Sequence, residues 1–470
     1  MSTFFWYDLE TFGLSPFYDR IAQFAGQRTD MDLNPVGEPV VLYCRLAADY
    51  VPDPQSCLVT GITPQEVKAK GIPESEFAQK INDLFSVPNT CVVGFNNISF
   101  DDEFIRNLFY RNFIDPYERE WKNGCSRWDI IDLVRATHDL RPEGINWPVS
   151  KDTGKPLFKL TELTGANNIE QIGAHDAMVD VNATIAVAKL IKEKQPKLFN
   201  HYLKLRSKIE VKNLLNLQDT PKPLIHVNKM FTSQYGCSSL ILPITPHSRI
   251  DNTIVCFNLT QDVQPLLEAK SEDIFKTPGV MKIAINKVPF LATTNCLKTK
   301  KDYERLGIDV DKCNESYKAI MENRPLLIDK IRANKDDEYE ASNDPDYAIY
   351  TKFFTDHDKN LFKVIRSTPP EKRLSLNLDF EDSRCPQMLW RHVCRSYPRV
   401  LDAENLKKWK SFAATRVLCI PRNEINDIHF VQRKIEEKLA DTSLEPSKKE
   451  VLVKLRDYII ALKKFLGLNV

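Results

Sequence analysis

Short apolar runs typical of strands are interleaved with helical periodicities over the first part of the chain. Residues 4–7 are an aromatic run that predicts a strand ending near Gly13, and residues 91–97 predict a second, buried strand that ends in amide residues. Two helices are predicted, one opened by residues 99–103 and one from residue 176 onward. Their apolar positions are Phe104, Ile105, Leu108 and Phe109 in the first, and Ala183, Ile185, Ala186, Ala188 and Leu190 in the second.

The pattern changes after residue 195. The preceding helix is predicted to end near Lys194, ahead of Pro196, and residues 196–215 are predicted to form a connecting helix. From residue 221 to about residue 297 the chain is predicted to be rich in β-structure. The candidate strands are residues 225–227, 240–242 and 253–257, which are separated by Pro, Asn and Asp.

Two further features divide the rest of the chain. Residues 336–346 are acidic and rich in residues that break regular structure, so we place a boundary there. The chain after residue 346 is predicted to be helical. An apolar stripe at helical spacing, which we interpret as core packing rather than a partner site, is formed by Leu455, Ile459, Leu462 and Leu466. The predicted domains are therefore residues 1–195, 196–343 and 344–470.

Two acidic residues lie at the end of the first predicted strand. Because successive side chains of a strand point to opposite faces, Asp8 and Glu10 project to the same side and can share metal ions. Two solvated acids at an ordinary strand end would give the same sequence. This pair alone therefore does not identify a site.

The acids after the second predicted strand open a helix. Ser99 ahead of Asp101, Asp102 and Glu103 is an N-terminal helix signature, and acids in the first turn suit the helix dipole. Adjacent aspartates point in different directions, so we expect only one of them, Asp101, to reach a metal site. Asp102 and Glu103 are interpreted as dipole-matching or solvated.

A third segment contains His175, Asp176 and Asp180. Asp176 is predicted to be the N-cap or a first-turn acid of a helix, which places Asp180 one turn inside it and His175 on the preceding loop. A simple capped helix with His175 at the surface accounts for Asp176. It does not account for Asp180, because Val181 and Ile185 indicate that this part of the helix is largely buried.

Together these segments supply four carboxylates and one imidazole. Two divalent cations about 3.5–4 Å apart need several hard oxygen ligands, and a neutral histidine nearby can take a proton from the attacking water. The combination predicts a two-metal phosphodiesterase site, and therefore a nuclease.

Composition favours an enzyme of the cytoplasm. A length of 470 residues predicts about three domains, and an apolar share of 42% is enough for real cores. No run of about 18 apolar residues occurs, so we expect no membrane span. The first strand begins so early that we expect no signal peptide. The 11 cysteines contain no Cys-x-x-Cys pair, which argues against a disulfide framework and against a thiolate metal site.

The net charge of +1 conceals an uneven distribution. Residues 1–195 contain 19 Lys and Arg against 28 Asp and Glu, a net charge of −9, whereas residues 196–470 contain 46 against 36, a net charge of +10. An acidic half can hold metal ions, yet it would repel a polyanion unless the basic half offered an electrostatic track. Lysine-rich helices that are simply solvated would give the same count, and both interpretations stay open.

Three motifs carry a resemblance to a known family. Asp-x-Glu-Thr-Phe-Gly at residues 8–13, Gly-Phe-Asn-Asn-x-x-Phe-Asp-Asp-Glu at 94–103 and His-Asp-Ala-x-x-Asp at 175–180 resemble the exonuclease motifs of the DEDDh superfamily. More closely, the chain is similar to the exodeoxyribonuclease I family of bacteria. The supporting segments are residues 58–66, 109–113, 126–129 and 140–148, with weaker matches at 222–227 and 305–308.

The resemblance implies an α/β, ribonuclease H-like exonuclease domain, followed by an SH3-like β-rich domain and a helical C-terminal domain. It implies that Asp8, Glu10, Asp101 and Asp180 bind two Mg²⁺ ions, for which Mn²⁺ would substitute. Glu10 and His175 would act in catalysis, with His175 as the general base. Enzymes of this family release 5′-mononucleotides from the 3′ end of DNA and act in DNA repair and recombination.

The resemblance also implies the residues that contact DNA. Single strands are held by aromatic platforms and by cationic grooves. The family pattern narrows the candidates to Arg106, Tyr117, Trp121, Arg135 and Lys159. At Lys159 relatives often have Arg, so the charge is kept but bidentate phosphate recognition is lost.

A further candidate contact to the terminal nucleotide is Val59, which we expect in a loop with Thr60 and Gly61. Relatives also bind the acidic C-terminal tail of single-stranded DNA-binding protein, and Arg141 is a candidate for that contact. A processive monomer is what the resemblance implies.

Three functions compete on the sequence alone. The favoured one is a processive 3′→5′ exonuclease on single-stranded DNA. A DEDDh exoribonuclease or proofreading module is the alternative, since the metal site does not choose the sugar, although the 275 residues after the first domain argue against a small oligoribonuclease. A binding or scaffolding protein with a decayed site is the third, and the presence of all five catalytic positions disfavours it.

Overall fold

The computed structural model describes residues 2–171, 176–217, 220–335, 342–418 and 427–469. In the first of these ranges five strands form one sheet, namely β1 (Thr3–Thr11), β2 (Ile21–Thr29), β3 (Val40–Tyr43), β4 (Thr90–Gly94) and β5 (Ser126–Asp129). Their spatial order is β3-β2-β1-β4-β5. The pairs β1–β2 and β2–β3 are antiparallel, whereas β1–β4 and β4–β5 are parallel. The strand predicted at residues 4–7 is confirmed as part of β1. The strand predicted at residues 91–97 ends earlier, at Gly94 of β4, because Asn96 adopts a left-handed conformation with φ of 65°.

Helices cover both faces of this sheet. They are α1 (Pro54–Thr60), α2 (Pro64–Lys70), α3 (Glu74–Phe85), α4 (Asp101–Arg111), α5 (Ile131–Leu140), α6 (Leu160–Ala166) and α7 (Ala177–Lys194). Phe5 and Tyr7 of β1 belong to a core cluster with side chains of α3 and α4, whereas Phe4 and Trp6 pack on the opposite face with Val181 of α7. The central strand is therefore buried on both faces, as expected where helices flank both faces of a sheet.

The middle of the chain forms a second, antiparallel sheet. Two helices, α8 (Pro196–Lys204) and α9 (Lys208–Leu215), replace the single connecting helix that was predicted. The sheet has the order β10-β6-β7-β8-β9. Its strands are β6 (Leu224–Val227), β7 (Ser238–Pro246), β8 (Thr253–Asn258), β9 (Val280–Ala284) and β10 (Phe290–Thr293), and its helices are α10 (Gln264–Glu268), α11 (Lys300–Arg305) and α12 (Val310–Ala333). The predicted β-rich segment is confirmed.

The last part of the chain is helical over its described residues. Its helices are α13 (Asp356–Ser367), α14 (Cys385–Ser396), α15 (Ala403–Leu418), α16 (Ile428–Leu439) and α17 (Pro446–Leu466). The predicted apolar stripe of α17 is buried in a cluster that also contains Val51, Cys57 and Val67 of the first domain. The interpretation of this stripe as core packing is therefore confirmed.

Two expectations about the whole chain can be compared with the described residues. Within those ranges, no helix is both long and apolar enough to cross a membrane. The ten cysteines that lie there are all free thiols, nine of them buried. Burial rather than pairing thus accounts for the cysteines in the described part of the structure.

Candidate active site

Strand β1 and helix α7 bring three carboxyl groups together. Asp8 and Glu10 lie on the same face of β1, as their alternation predicts, and Asp180 lies in the first turn of α7. Asp176 is the N-cap of α7, and its side chain accepts a hydrogen bond of 2.9 Å from the backbone N–H of Met178. Carboxylate oxygens of Asp8, Glu10 and Asp180 all lie within 4.8 Å of one another.

Asp101, the fourth predicted metal ligand, is not one of the three residues whose carboxylate oxygens lie within 4.8 Å of one another. It is the first residue of α4, which begins after the C-terminal end of β4, and it is buried. Phe100 is the N-cap and makes no side-chain capping bond, so the predicted helix start is confirmed, with Ser99 one residue ahead of the N-cap. The charge of Asp101 still acts on Asp8, because repulsion between the two carboxylates raises the pKa of Asp8.

Burial and mutual repulsion raise the pKa of Asp8, Glu10 and Asp101. The pKa of Asp8 lies well above its ordinary value because of burial first, then the charges of Asp101 and Asp180. Burial and the charges of Asp8 and Asp180 raise the pKa of Glu10 to about 9. Burial also raises the pKa of Asp101 well above its usual range, with further repulsion from Asp102.

Such a group of acids is stable in its ionised form only with a compensating positive charge. Hard oxygen ligands from three or four carboxylates are the donor set that divalent cations such as Mg²⁺ prefer, and a bound cation reverses the direction of these pKa shifts. The residues present therefore fit a divalent metal centre. This fit rests on four acids that the sequence analysis had selected.

Two amide side chains support the acids and were missed by sequence reasoning. Gln171 donates to Oδ1 of Asp180 at 2.6 Å and accepts a bond of 2.6 Å from the hydroxyl of Thr164. Gln23, which pairs with Glu10 across β1 and β2, accepts a bond of 3.4 Å from the backbone N–H of Ala177. Gln23 could have been found from the sequence, because it is a polar residue on a strand that pairs with the strand of Glu10. No sequence pattern indicated the role of Gln171.

The interpretation of Asp102 as dipole-matching or solvated is wrong. Its side chain is fully buried and accepts hydrogen bonds from Tyr7, Arg119 and Arg127. Burial alone would raise the pKa of Asp102, but attraction to the two guanidinium groups outweighs it and holds the pKa well below the ordinary range. Asp102 is thus the centre of a buried charge network. Glu103 is also engaged, since it binds Arg106 and the hydroxyl of Tyr350.

The predicted aromatic DNA contacts lie on an accessible surface. Trp121 has 62% of its surface exposed. Tyr117 is half-buried, and its ring meets the ring of Phe353 edge-on with centroids 5.4 Å apart. Phe353, which is 78% exposed, comes from the C-terminal part of the chain and was not predicted. Because Phe353 is far from Tyr117 in sequence, no local pattern indicated that the two rings meet.

The predicted arginines are more enclosed than expected. The side chain of Arg106 is 6% exposed, and its guanidinium binds Glu103 and Glu120 at 2.7 Å each, so it would reach a phosphate only by exchanging these partners. Arg135 binds Asp132 at 2.7 Å and lines a cavity of about 210 Å³ between the first and second sheets.

The remaining candidates are dispersed. Lys159 is exposed and is the N-cap residue of α6. Val59 is 48% exposed, but it lies in the last turn of α1 rather than in a loop, because the helix continues to Thr60 and ends at Gly61, whose φ is 71°. The predicted general base, His175, lies outside the described residues.

The mixed sheet, with acids at the end of its central strand, defines the class of protein as an exonuclease of the ribonuclease H-like fold. A family model described as an exonuclease matches residues 5–188, one described as an exonuclease I SH3-like domain matches 206–334, and one described as an exonuclease I C-terminal domain matches 343–462. The chain belongs to the exonuclease I family, and it is therefore a nuclease.

Individual relatives are similar to this chain over most of its length. Exodeoxyribonuclease I of Escherichia coli strain K12 is 42% identical over 87% of this chain and 88% of its own length. The exonuclease I structure from Methylocaldum szegediense covers 98% of this chain and 100% of its own, with 40% identity and a TM-score of 0.92. The E. coli exonuclease I structure in complex with a dA16 oligonucleotide covers the same shares, with 38% identity and a TM-score of 0.92.

Proposed function

We propose that this protein is a 3′→5′ exonuclease that hydrolyses single-stranded DNA to 5′-mononucleotides with two Mg²⁺ ions held by Asp8, Glu10, Asp101 and Asp180. The observation that carries the proposal is the convergence of carboxylate oxygens from Asp8, Glu10 and Asp180 within 4.8 Å. Mn²⁺ is expected to substitute, because oxygen ligands suit both ions. A zinc-bound E. coli exonuclease I–single-stranded DNA complex, 38% identical to this chain, supports the choice of a divalent cation.

The chain's proposed contribution is to hold the carboxyl groups that bind the metal ions. When bound, divalent cations supply a readily ionised water and stabilise the leaving oxygen. Strand β1 fixes Asp8 and Glu10, while the first turns of α4 and α7 fix Asp101 and Asp180. Strand β1 and helix α7 bring three of these carboxyl groups within 4.8 Å, and the charge of Asp101 acts on Asp8, so we expect little reorganisation when charge develops in the transition state.

We assign the general base to His175. Its support is its position in the sequence, directly before the N-cap residue of α7 and five residues before Asp180. Histidine is the side chain that most often accepts a proton in such reactions, so we propose that His175 accepts the proton of the attacking water. Glu10, whose side chain is buried in the cluster, completes the proposed catalytic pair.

Single-stranded DNA is the proposed substrate because exposed rings are available to stack on bases. Trp121 and Phe353 are exposed, and the half-buried ring of Tyr117 contacts that of Phe353. Sequence-tolerant stacking on such rings is how single strands are held. Arg106, Arg135, Lys159 and Val59 remain proposed contacts to the strand. The dA16 oligonucleotide bound to the E. coli relative supports this choice of substrate.

The proposed partner, single-stranded DNA-binding protein, is also supported by a relative of known structure. A solved SSB/exonuclease I complex with an inhibitor matches this chain at 39% identity and a TM-score of 0.88. We propose that the tail of single-stranded DNA-binding protein contacts Arg141, which is half-buried and donates to the carbonyl of Cys296 at 3.2 Å. We also propose that the enzyme is processive, monomeric and cytoplasmic, and that it acts in DNA repair and recombination. The proposed domain boundaries lie near residues 195 and 343.

The decisive experiment compares three uniformly radiolabelled substrates: single-stranded DNA, duplex DNA and RNA of the same sequence. With Mg²⁺ we expect rapid release of mononucleotides from single-stranded DNA and none after addition of EDTA. Glu10→Gln should abolish the activity, whereas Glu38→Gln, at an exposed position, should retain it. Equal or faster degradation of RNA would replace this proposal with an exoribonuclease.

A further inference from the structure

Asp102 stands next to a proposed metal ligand, yet all its bonds face the protein. Its side chain is completely buried. Oδ1 accepts from the hydroxyl of Tyr7 at 2.6 Å and from Nη2 of Arg119 at 2.8 Å, and Oδ2 accepts from Nη1 of Arg127 at 2.9 Å. With both oxygens engaged by three donors, Asp102 has a defined orientation within the first turn of α4.

These donors connect the elements that carry the metal ligands. Tyr7 directly precedes Asp8 on β1, and Asp102 directly follows Asp101 on α4. The hydrogen bond between Tyr7 and Asp102 therefore joins β1 to α4, at the residues next to the proposed ligands Asp8 and Asp101. Hydrogen bonds of this kind are strong in a water-excluded interior and restrict relative movement of the elements they join.

Arg127 extends this network into the second domain. Its Nη1 binds Asp102, and its Nη2 donates to the backbone carbonyl of Asn286 at 2.9 Å. Asn286 lies in the turn between β9 and β10 of the SH3-like domain, and the same turn is held by the hydroxyl of Tyr202, which donates to the carbonyl of Val288 at 2.9 Å. The guanidinium of Arg127 thus contacts both α4, which carries the proposed ligand Asp101, and the SH3-like domain.

We propose that Asp102 is a positioning residue that sets the placement of Asp101 relative to Asp8, and that Arg127 makes this placement depend on the seating of the SH3-like domain. The inference rests on the proposed function, because it assigns Asp102 a role toward the same metal centre. Outer partners of metal ligands usually affect metal affinity or activity by about 10–100-fold. Asp102 would act in this way through the backbone of α4.

The test compares Asp102→Asn, Arg127→Met and the control Asp139→Asn in the full-length protein. Asp139 is also fully buried and also binds the SH3-like domain, through the N–H of Cys237 and the hydroxyl of Ser238, but its bonds do not involve the acidic cluster. For each protein, kcat and KM on single-stranded DNA are measured against Mg²⁺ concentration. The rise in melting temperature with Mn²⁺, without DNA, is measured separately.

For Asp102→Asn we expect about 10–100-fold more Mg²⁺ for half-maximal activity, a matching shift in the Mn²⁺ melting series, and a KM for DNA close to wild type. Arg127→Met should shift both midpoints in the same direction. Asp139→Asn should lower the melting temperature without moving either midpoint. If Asp102→Asn does not fold, Tyr7→Phe removes one donor and leaves both ion pairs, and it should shift the midpoints less.

Wild-type metal midpoints in Asp102→Asn or Tyr7→Phe would overturn the positioning role, and wild-type midpoints in Arg127→Met would overturn the link to the SH3-like domain. A wild-type protein that hydrolyses no DNA in Mg²⁺ would instead contradict the proposed function. The Mn²⁺ melting series separates these cases, since it reports the metal centre without turnover.

Discussion

Arg395 and Asp346 form an ion pair 2.5 Å long whose two side chains are almost completely buried, at 2% and 1% exposure. Arg395 lies on α14, and its guanidinium also binds Asp49 of the exonuclease domain at 2.8 Å. Arg391 and Arg416 bind Asp346 as well. The C-terminal domain is therefore joined to the exonuclease domain by a buried network of charges in addition to apolar packing.

Removing the charge of Asp346 is expected to destabilise this junction severely. Asp346→Asn leaves three arginines without their shared carboxylate, and breaking a buried ion pair costs about 3–5 kcal/mol. We expect a loss toward the lower end of this range, because Asp49 and Asp344 still bind these arginines. Thermal unfolding measured by circular dichroism should show a clearly lower transition. Asp356→Asn, at an exposed position on α13, is the matched control and should unfold like wild type.

The same network predicts sensitivity to acid. Burial raises the pKa of Asp346, but attraction to Arg395 and the neighbouring arginines outweighs it, so the pKa lies well below its ordinary value. In the unfolded chain an aspartate titrates near 3.9. The stabilisation is therefore complete above about pH 5 and is lost as the pH falls through about 4 toward the folded pKa. Melting temperatures at successive pH values should fall steeply there in wild type, and less steeply in Asp346→Asn.

Substitution of a proposed metal ligand should lower activity, whereas substitution of a neighbouring acid should lower stability. Asp101→Asn and Asp180→Asn each remove a proposed ligand and should nearly abolish turnover while the fold survives. Asp176→Ala removes only the capping bond to Met178 and should cost about 0.5–2 kcal/mol of stability. Activity in Mg²⁺ and the melting temperature are measured for all three. An inactive but normally stable Asp176→Ala would show that Asp176 belongs to the metal centre.

The sequence predicted the acids because their geometry is local. Alternation along a strand places Asp8 and Glu10 on one face, and an N-cap at Asp176 places Asp180 one turn inside α7. Neither inference requires knowledge of a distant segment. The same holds for the stripe of α17, where a helical period of apolar residues was enough to predict its burial.

Non-local contacts could not be predicted in this way. The partners of Asp102 come from β1, from residue 119 and from β5, so nothing next to Asp102 in sequence distinguishes a buried network from a solvated helix start. Phe353 meets Tyr117 across more than two hundred residues, and Arg106 finds Glu120 outside its own helix. Tertiary pairing of charges and rings decided each of these positions.

Exposed rings should contribute to DNA binding without contributing to chemistry. Trp121→Ala and Phe353→Ala each remove a candidate stacking platform, and loss of stacking costs about 1–3 kcal/mol per base. Affinity for a fluorescent single-stranded oligonucleotide in EDTA should weaken accordingly, while kcat at saturating DNA stays close to wild type. Phe465→Ala, which removes a 40% exposed ring on α17, is the control and should bind normally. Unchanged affinity in Trp121→Ala would remove that residue from the proposed interface.

His175 should affect the chemical step and little else. A general base takes a proton in the transition state and contributes typically about 10²–10⁴-fold to the rate, without holding substrate or metal tightly. His175→Ala should therefore lower the single-turnover rate by that order, while DNA affinity in EDTA and the Mn²⁺-dependent rise in melting temperature stay as in wild type. His201→Ala is the control, because His201 binds the carbonyl of Leu291 at 2.8 Å, away from the acidic cluster. If His175→Ala binds DNA poorly but reacts at the normal rate once saturated, then His175 contacts substrate and another group accepts the proton.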